Sequence, residues 1–179
     1  EGRNPGRFSD PGMQARAEHQ AALEHALREG LSTHQFVLYC QPQFSSRGRL
    51  VGAEVLVRWR RTDGQLLAPD DFIGVAESSG LILPLGQYVL AESCRALARW
   101  RGDSTLSKLE LAVNISAHQL HSADFTGRVS DTLLDTGAPP DKLCLELTES
   151  VLAHNVAEVI ERMRALCDQG VHFSLDDFG

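Results

Sequence analysis

No stretch of the sequence approaches the roughly 20 consecutive apolar residues of a membrane-spanning helix, and the opening EGRNPGRFSD has neither the charged head nor the apolar body of a secretory signal. The expected setting is therefore the cytoplasm, and any membrane tether of a parent protein would lie in regions outside this chain. Cysteine pairs are missing too. Cys40, Cys94, Cys144 and Cys167 are far apart with no C-x-x-C spacing, which excludes the usual zinc ribbons and a dense disulfide frame and leads us to expect four reduced, buried thiols. The histidines lack H-E-x-x-H spacing, and His118 with His121 reads as a surface or capping pair. Basic charge is also in short supply. Seventeen Lys and Arg against 24 Asp and Glu give a net charge of -7, the wrong balance for gripping DNA or RNA polymers.

What is present is an uneven distribution of acid. Residues 1–60 hold eight Arg and six acids, whereas residues 61–179 hold nine basic and 18 acidic residues. Most carboxylates are solvated surface, so position along the chain must single out those with another role.

Residues 1–32 read as a Gly- and Pro-rich linker followed by a connecting helix whose apolar spacing, Ala17, Ala21, Leu23 and Leu27, stops at Gly30. The main domain then occupies 33–179. FVLYCQPQF and LVGAEVLVRW are two strand-like runs joined by a short turn containing Gly48. PDDFIGVAESSG opens on proline and acids and closes on Gly80 as a helix should, and PLGQYVLAESCRALARW continues as a longer amphipathic helix. From residue 109 short apolar strands alternate with helices: LELAVNIS, ADFTGRVSDTLLDTG, KLCLELTES, NVAEVIERMRALCDQG and VHFSLDDFG. Such alternation predicts an α/β fold with a parallel sheet, and a closed barrel is one of its two common outcomes.

In each strand the polar residue lies near the C-terminal end: Glu54, Asn114, Glu146, then Asp176 and Asp177. That end carries the active sites of βα folds. Alternation along a strand puts Glu54, Leu56 and Arg58 on one face, with Asn114 and Glu146 on the corresponding faces of later strands, while Leu111, Val113, Ile115, Leu143, Leu145 and Leu147 point the other way. Four carboxylates and an amide converging in one mouth repel one another unless cations neutralise them. An all-oxygen set suits hard ions such as Mg²⁺ or Mn²⁺. Two such ions would form a device for phosphoester hydrolysis, and Arg58 is suited to grip a phosphate. The plainer alternatives are that these acids cap helices and that Arg58 braces its strand.

The motifs QPQF (41–44), GAEVLVRW (52–59), PDDFIGVAESSGLI (69–82), VNISAHQL (113–120), ELTES (146–150) and LDDFG (175–179) resemble, in order, those of EAL domains. The resemblance covers roughly residues 34–179. It implies the N-terminal portion of a (β/α) TIM-type barrel with one antiparallel strand, hydrolysing cyclic di-GMP to linear pGpG with two Mg²⁺ or Mn²⁺ ions. It further implies metal ligation by Glu54, Asn114, Glu146, Asp176 and Asp177, of which Glu54, Asp176 and Asp177 are the catalytic carboxylates. Gln41, Leu56 and Arg58 match positions that contact the dinucleotide, and Glu149 matches a glutamate that steadies the loop after LDDFG, a loop linked to metal binding and dimerisation. A homodimer and an upstream GGDEF or sensor domain are the expected associates.

Two departures qualify the resemblance. Val55 stands where the family's naming motif has alanine, on the strand face opposite Glu54. The family's catalytic lysine lies on a later strand, and Lys108 and Lys142, at strand starts, are at the wrong end to replace it. The 179-residue chain by itself is therefore expected to be inactive. Two further readings stand beside the enzyme: a receptor that binds cyclic di-GMP without cleaving it, and an unrelated metal-dependent barrel enzyme.

Overall fold

The first helix, α1 (Pro11–Ser32), lays Leu23, Ala26, Leu27 and Leu31 against the core at helical spacing, with Leu27 fully buried. It runs two residues past the expected stop at Gly30. Its reversal falls instead at His34, which takes a left-handed φ of 56°. Gly30 has a different job: a Cβ there would lie 2.8 Å from Nε1 of Trp59. Glycine allows the helix to approach that indole, whose N–H donates to Oε1 of Gln35 at 2.9 Å. These contacts come from the computed structural model of the chain, which describes residues 11–148 and 155–176.

Strands β1 (Phe36–Phe44) and β2 (Leu50–Arg60) form the expected antiparallel hairpin, turned at Gly48 and bulged between Gln43 and Phe44. A two-residue strand, β3 (Leu66–Leu67), adds to the other side of β2, a pairing too short to leave a sequence signal. The PDDFIGVAESSG segment is split where one helix was expected. Pro69–Asp71 makes a 3-10 turn in which the Asp71 carboxylate accepts from the Ala68 N–H, and α2 (Ile73–Ser79) follows after Phe72. Helix α3 (Ile82–Trp100) is the longest element of the main domain and buries Ile82, Leu85, Val89, Leu90, Cys94 and Leu97.

The remaining chain alternates as read: β4 (Glu110–Ile115), α4 (Ala117–His121), α5 (Phe125–Thr136), β5 (Leu143–Thr148), α6 (Val156–Cys167) and β6 (His172–Asp176). The short α4 was not anticipated. The sheet order is β1-β2-β4-β5-β6, with β2, β4, β5 and β6 parallel and β1 antiparallel at the edge. This is the arrangement of the first strands of a TIM-type barrel with one antiparallel strand.

The sheet separates its two faces by chemistry. Ala53, Val55 and Trp59 of β2, Leu111, Val113 and Ile115 of β4, and Leu143, Leu145 and Leu147 of β5 all lie at or below 6% exposure. They form one core with the helices. At one end of that core Phe36 stacks on Trp59 (ring centroids 5.6 Å apart), Phe72 meets Trp59 edge-on at 5.9 Å, and the Tyr88 hydroxyl donates to the Phe36 carbonyl at 2.8 Å. The cysteines are all free, as expected, but only Cys94 and Cys144 are buried; Cys40 and Cys167 are exposed.

Candidate active site

The opposite face of the sheet carries the polar residues, and neighbouring strands place them side by side. Glu54 lies in β2 opposite Ala112 of β4, and Asn114, one pleat further along β4, reaches back across the strands. Its Nδ2 donates to Oε1 of Glu54 at 2.8 Å. The next strand continues the row, since Asn114 is in register with Glu146, and Glu146 with Ser174 of β6. Ser174 Oγ donates to Oε1 of Glu146 at 3.3 Å, and the Cys144 thiol approaches Ser174 Oγ at 3.5 Å. Burial pushes the Cys144 thiol up to about 11; the Ser174 hydrogen bond opposes this, and the Glu110 and Glu146 carboxylates add to it. That thiol therefore stays protonated at neutral pH.

Three of the five expected ligands, Glu54, Asn114 and Glu146, thus sit on three adjacent strands; Asn114 and Glu146 lie in the C-terminal halves of β4 and β5, whereas Glu54 falls midway along β2, which continues to Arg60, and not near its end as expected. Asp176 is the last residue of β6, in register with Thr148. Asp177 and Glu149 lie outside the described residues. Among the described residues no three Asp, Glu, His or Cys side chains gather tightly enough to hold an ion. Of the expected set of five, side-chain contacts are described for two carboxylates and one amide, and Asp176 is placed by its backbone alone.

The donor chemistry fits a hard cation. Every side chain in the row offers oxygen, and the Asn114 amide spends its nitrogen on Glu54, which leaves Oδ1 as an acceptor on the other branch. His121, raised above as part of a histidine pair, has its Nδ1 2.7 Å from the Ala117 carbonyl of its own helix.

The residues expected to contact substrate surround Glu54. Gln41 is its cross-strand neighbour on β1 and is exposed. Leu56 is half-buried; with Asn114 it borders a cleft of about 260 Å³ that lies mainly on the helix-covered side, against Val55, Val57, Leu85 and Ile115, and that Glu54, Gln41 and Arg58 do not line. Arg58 is half-buried and donates from Nη1 to the neighbouring Val57 carbonyl at 2.9 Å. It forms no ion pair among the described residues.

A family model for the EAL domain matches residues 24–179. The chain belongs to the EAL domain family. Relatives of this EAL domain include the bifunctional diguanylate cyclase/cyclic di-GMP phosphodiesterase MucR of Pseudomonas aeruginosa, 36% identical over all of this chain and 26% of its own length. The cyclic di-GMP phosphodiesterase PdeR of Escherichia coli is 36% identical over 94% of this chain and 25% of its own length. This chain thus spans about a quarter of the length of these curated relatives. Among solved structures, the MucR phosphodiesterase in complex with cyclic di-GMP superposes with a TM-score of 0.83 at 35% identity, over 88% of this chain and 64% of that one. No described helix is long and apolar enough to cross a membrane.

Sequence reasoning missed three participants. Ser174 was findable, because it alternates with Asp176 along β6 and so falls on the same face. The second, a contact between His172 Nδ1 and the Glu110 carboxylate at the N-terminal end of the polar face, left no local signal, because 62 residues separate the partners. The third, Gln119, lies within the VNISAHQL motif that contains Asn114, but its capping contacts with Ser116 depend on a helix that the sequence did not announce.

Proposed function

We propose that the intact domain hydrolyses cyclic di-GMP to linear pGpG with two Mg²⁺ or Mn²⁺ ions, as part of bacterial second-messenger signalling. The observation that carries this reading is the Glu54–Asn114–Glu146 row: an all-oxygen set on adjacent parallel strands, in a chain of the EAL family. Glu54, Asn114 and Glu146, joined by Asp176 and Asp177, would hold the ions, with Glu54, Asp176 and Asp177 as the catalytic carboxylates. When bound, the ions supply Lewis acidity toward a phosphoryl oxygen and lower the pKa of water toward neutrality.

The chain's own residues do the rest. The Asn114 N–H holds one Glu54 oxygen in place, so the carboxylate is oriented before any ligand arrives. Ser174 does the same for Glu146. Gln41, paired with Glu54 across the strands, and Leu56, on the same strand face as Glu54, would seat the dinucleotide. Arg58, two residues further along the same strand face, would grip a phosphate with its guanidinium. Glu149 would steady the loop after LDDFG. We take residues 1–32 as the connection to an upstream GGDEF or sensor domain, with a homodimer as the working assembly in the cytoplasm.

The test uses the full-length protein, incubated with cyclic di-GMP and Mg²⁺ or Mn²⁺, with products separated by chromatography. Accumulation of pGpG supports the reading. Binding of the dinucleotide by metal-replete protein with no product makes the domain a receptor, and absence of both binding and product removes cyclic di-GMP as its ligand.

A further inference from the structure

One residue past Asn114, after Ile115, the chain leaves β4, and the exit is held more firmly than a five-residue helix requires. Ser116 and Gln119 form a reciprocal capping box: the Gln119 N–H donates to Ser116 Oγ at 3.2 Å, and the Ser116 N–H donates to Gln119 Oε1 at 3.1 Å. The Gln119 side chain is 8% exposed and lies directly on Gly86 of α3. A Cβ at residue 86 would fall 1.9 Å from Gln119 Nε2 and 2.3 Å from its Cδ. From the other side, Arg162 of α6 donates from Nη1 to the Leu120 carbonyl at 2.6 Å.

A single-turn helix has almost no stability of its own, and burying an amide is costly unless its polar atoms are paired. The clamp therefore does more than preserve α4. What it fixes is the Ser116 amide, two residues from Asn114, with Ile115 between them buried at 2% exposure. Asn114 itself is exposed and must keep its amide aimed at Glu54. We infer that Gln119, seated on Gly86, is a positioning residue that fixes the β4 exit and thereby the orientation of Asn114 toward Glu54. The inference rests on the proposed reading only where it speaks of metal and turnover.

In the full-length protein, Gln119→Met keeps the length of the side chain but removes the acceptor for the Ser116 N–H. It is expected to weaken Mn²⁺ affinity by roughly tenfold or more, the scale of losing an outer partner of a metal ligand, and to lower kcat with KM for cyclic di-GMP near wild type. Gln119→Glu retains the capping acceptor and should restore both. Gly86→Ala should reproduce the Gln119→Met loss by displacing the side chain. If either single variant fails to fold, the double variant Gly86→Ala/Gln119→Ala removes the clash together with the side chain and should still bind Mn²⁺ weakly. The side-chain amide signals of Asn114 in ¹H–¹⁵N spectra report its orientation without metal or substrate: they should move in Gln119→Met and stay in place in Gln119→Glu. Folded Gln119→Met, or the folded double variant, with wild-type Asn114 signals overturns the inference. Wild-type protein that binds no Mn²⁺ and makes no pGpG overturns the proposed function instead, and the Asn114 signals then still decide the positioning role.

Discussion

The two faces of the sheet are built from alternating residues of the same strands, yet they solve opposite problems. On the helix-covered face, Val55, Trp59, Val113 and Leu145 are buried at 4% exposure or less and gain their stability from removal of apolar surface. On the other face, Glu54 and Glu146 are half-buried, Asn114 is exposed, and hydrogen bonds between strands fix their directions. Stability and chemistry are thus separated by one step along the backbone. A residue and its neighbour can be changed with unrelated consequences, and that separation is open to experiment.

The largest effect should come from the apolar side. Trp59→Ala removes the ring on which Phe36 stacks and against which Phe72 packs, and empties the space beneath Gly30. It should cost about 3–5 kcal/mol, read as a lower midpoint in denaturant melts. The polar side should answer differently. Glu54→Gln keeps the shape and an oxygen that can still accept from Asn114 Nδ2, so the midpoint should hold. Under the proposed function, metal-dependent turnover should fall by more than roughly 100-fold, since loss of an outer-shell partner alone costs 10–100-fold. A large stability loss in Glu54→Gln, or residual turnover near wild type, would erase the distinction between the faces.

The period of two in the strands made this distinction legible before any coordinates. Alternation in GAEVLVRW and LAVNIS assigned Glu54 and Asn114 to one face and Val55 and Val113 to the other, and burial agrees. The βα rhythm likewise gave the parallel order of β4, β5 and β6. Long-range contacts were harder to read. Gly30 looked like a helix stop because glycine at a helix end is the common case, whereas its requirement comes from Trp59, 29 residues away. Gly86 carries no local signal inside α3, and only the Gln119 side chain packed on it shows why no larger residue fits. Cys40 and Cys167 were expected to be buried on composition alone, but Cys40 lies in the edge strand and Cys167 in the last turn of α6, where little covers them.

Val55 sharpens the comparison at an intermediate scale. It is adjacent to Glu54 but points into the core at 4% exposure. Val55→Ala, which restores the residue usual in the family motif, deletes two buried methyl groups and should cost about 1.5 kcal/mol at ~0.8 kcal/mol each. Mn²⁺ affinity should not change. A matching loss of metal binding would show that core packing reaches through the strand to the carboxylate.

The smallest effect lies deep on the apolar side and appears only in alkali. Burial pushes the Cys94 thiol from 9.0 up to about 12. Between those values the unfolded chain has released the proton while the folded chain retains it. The unfolded state then binds fewer protons, so stability falls as pH rises above 9 and is untouched below it. Denaturant melts at pH 8 and pH 10 should show a larger loss in wild type than in Cys94→Ala, whose cavity cost is the same at both pH values. No polar-face variant that leaves Cys94 in place should alter that difference. Equal losses in wild type and Cys94→Ala would mean that this thiol titrates in the folded protein much as it does in the unfolded chain, and that water reaches the core between α3 and the sheet.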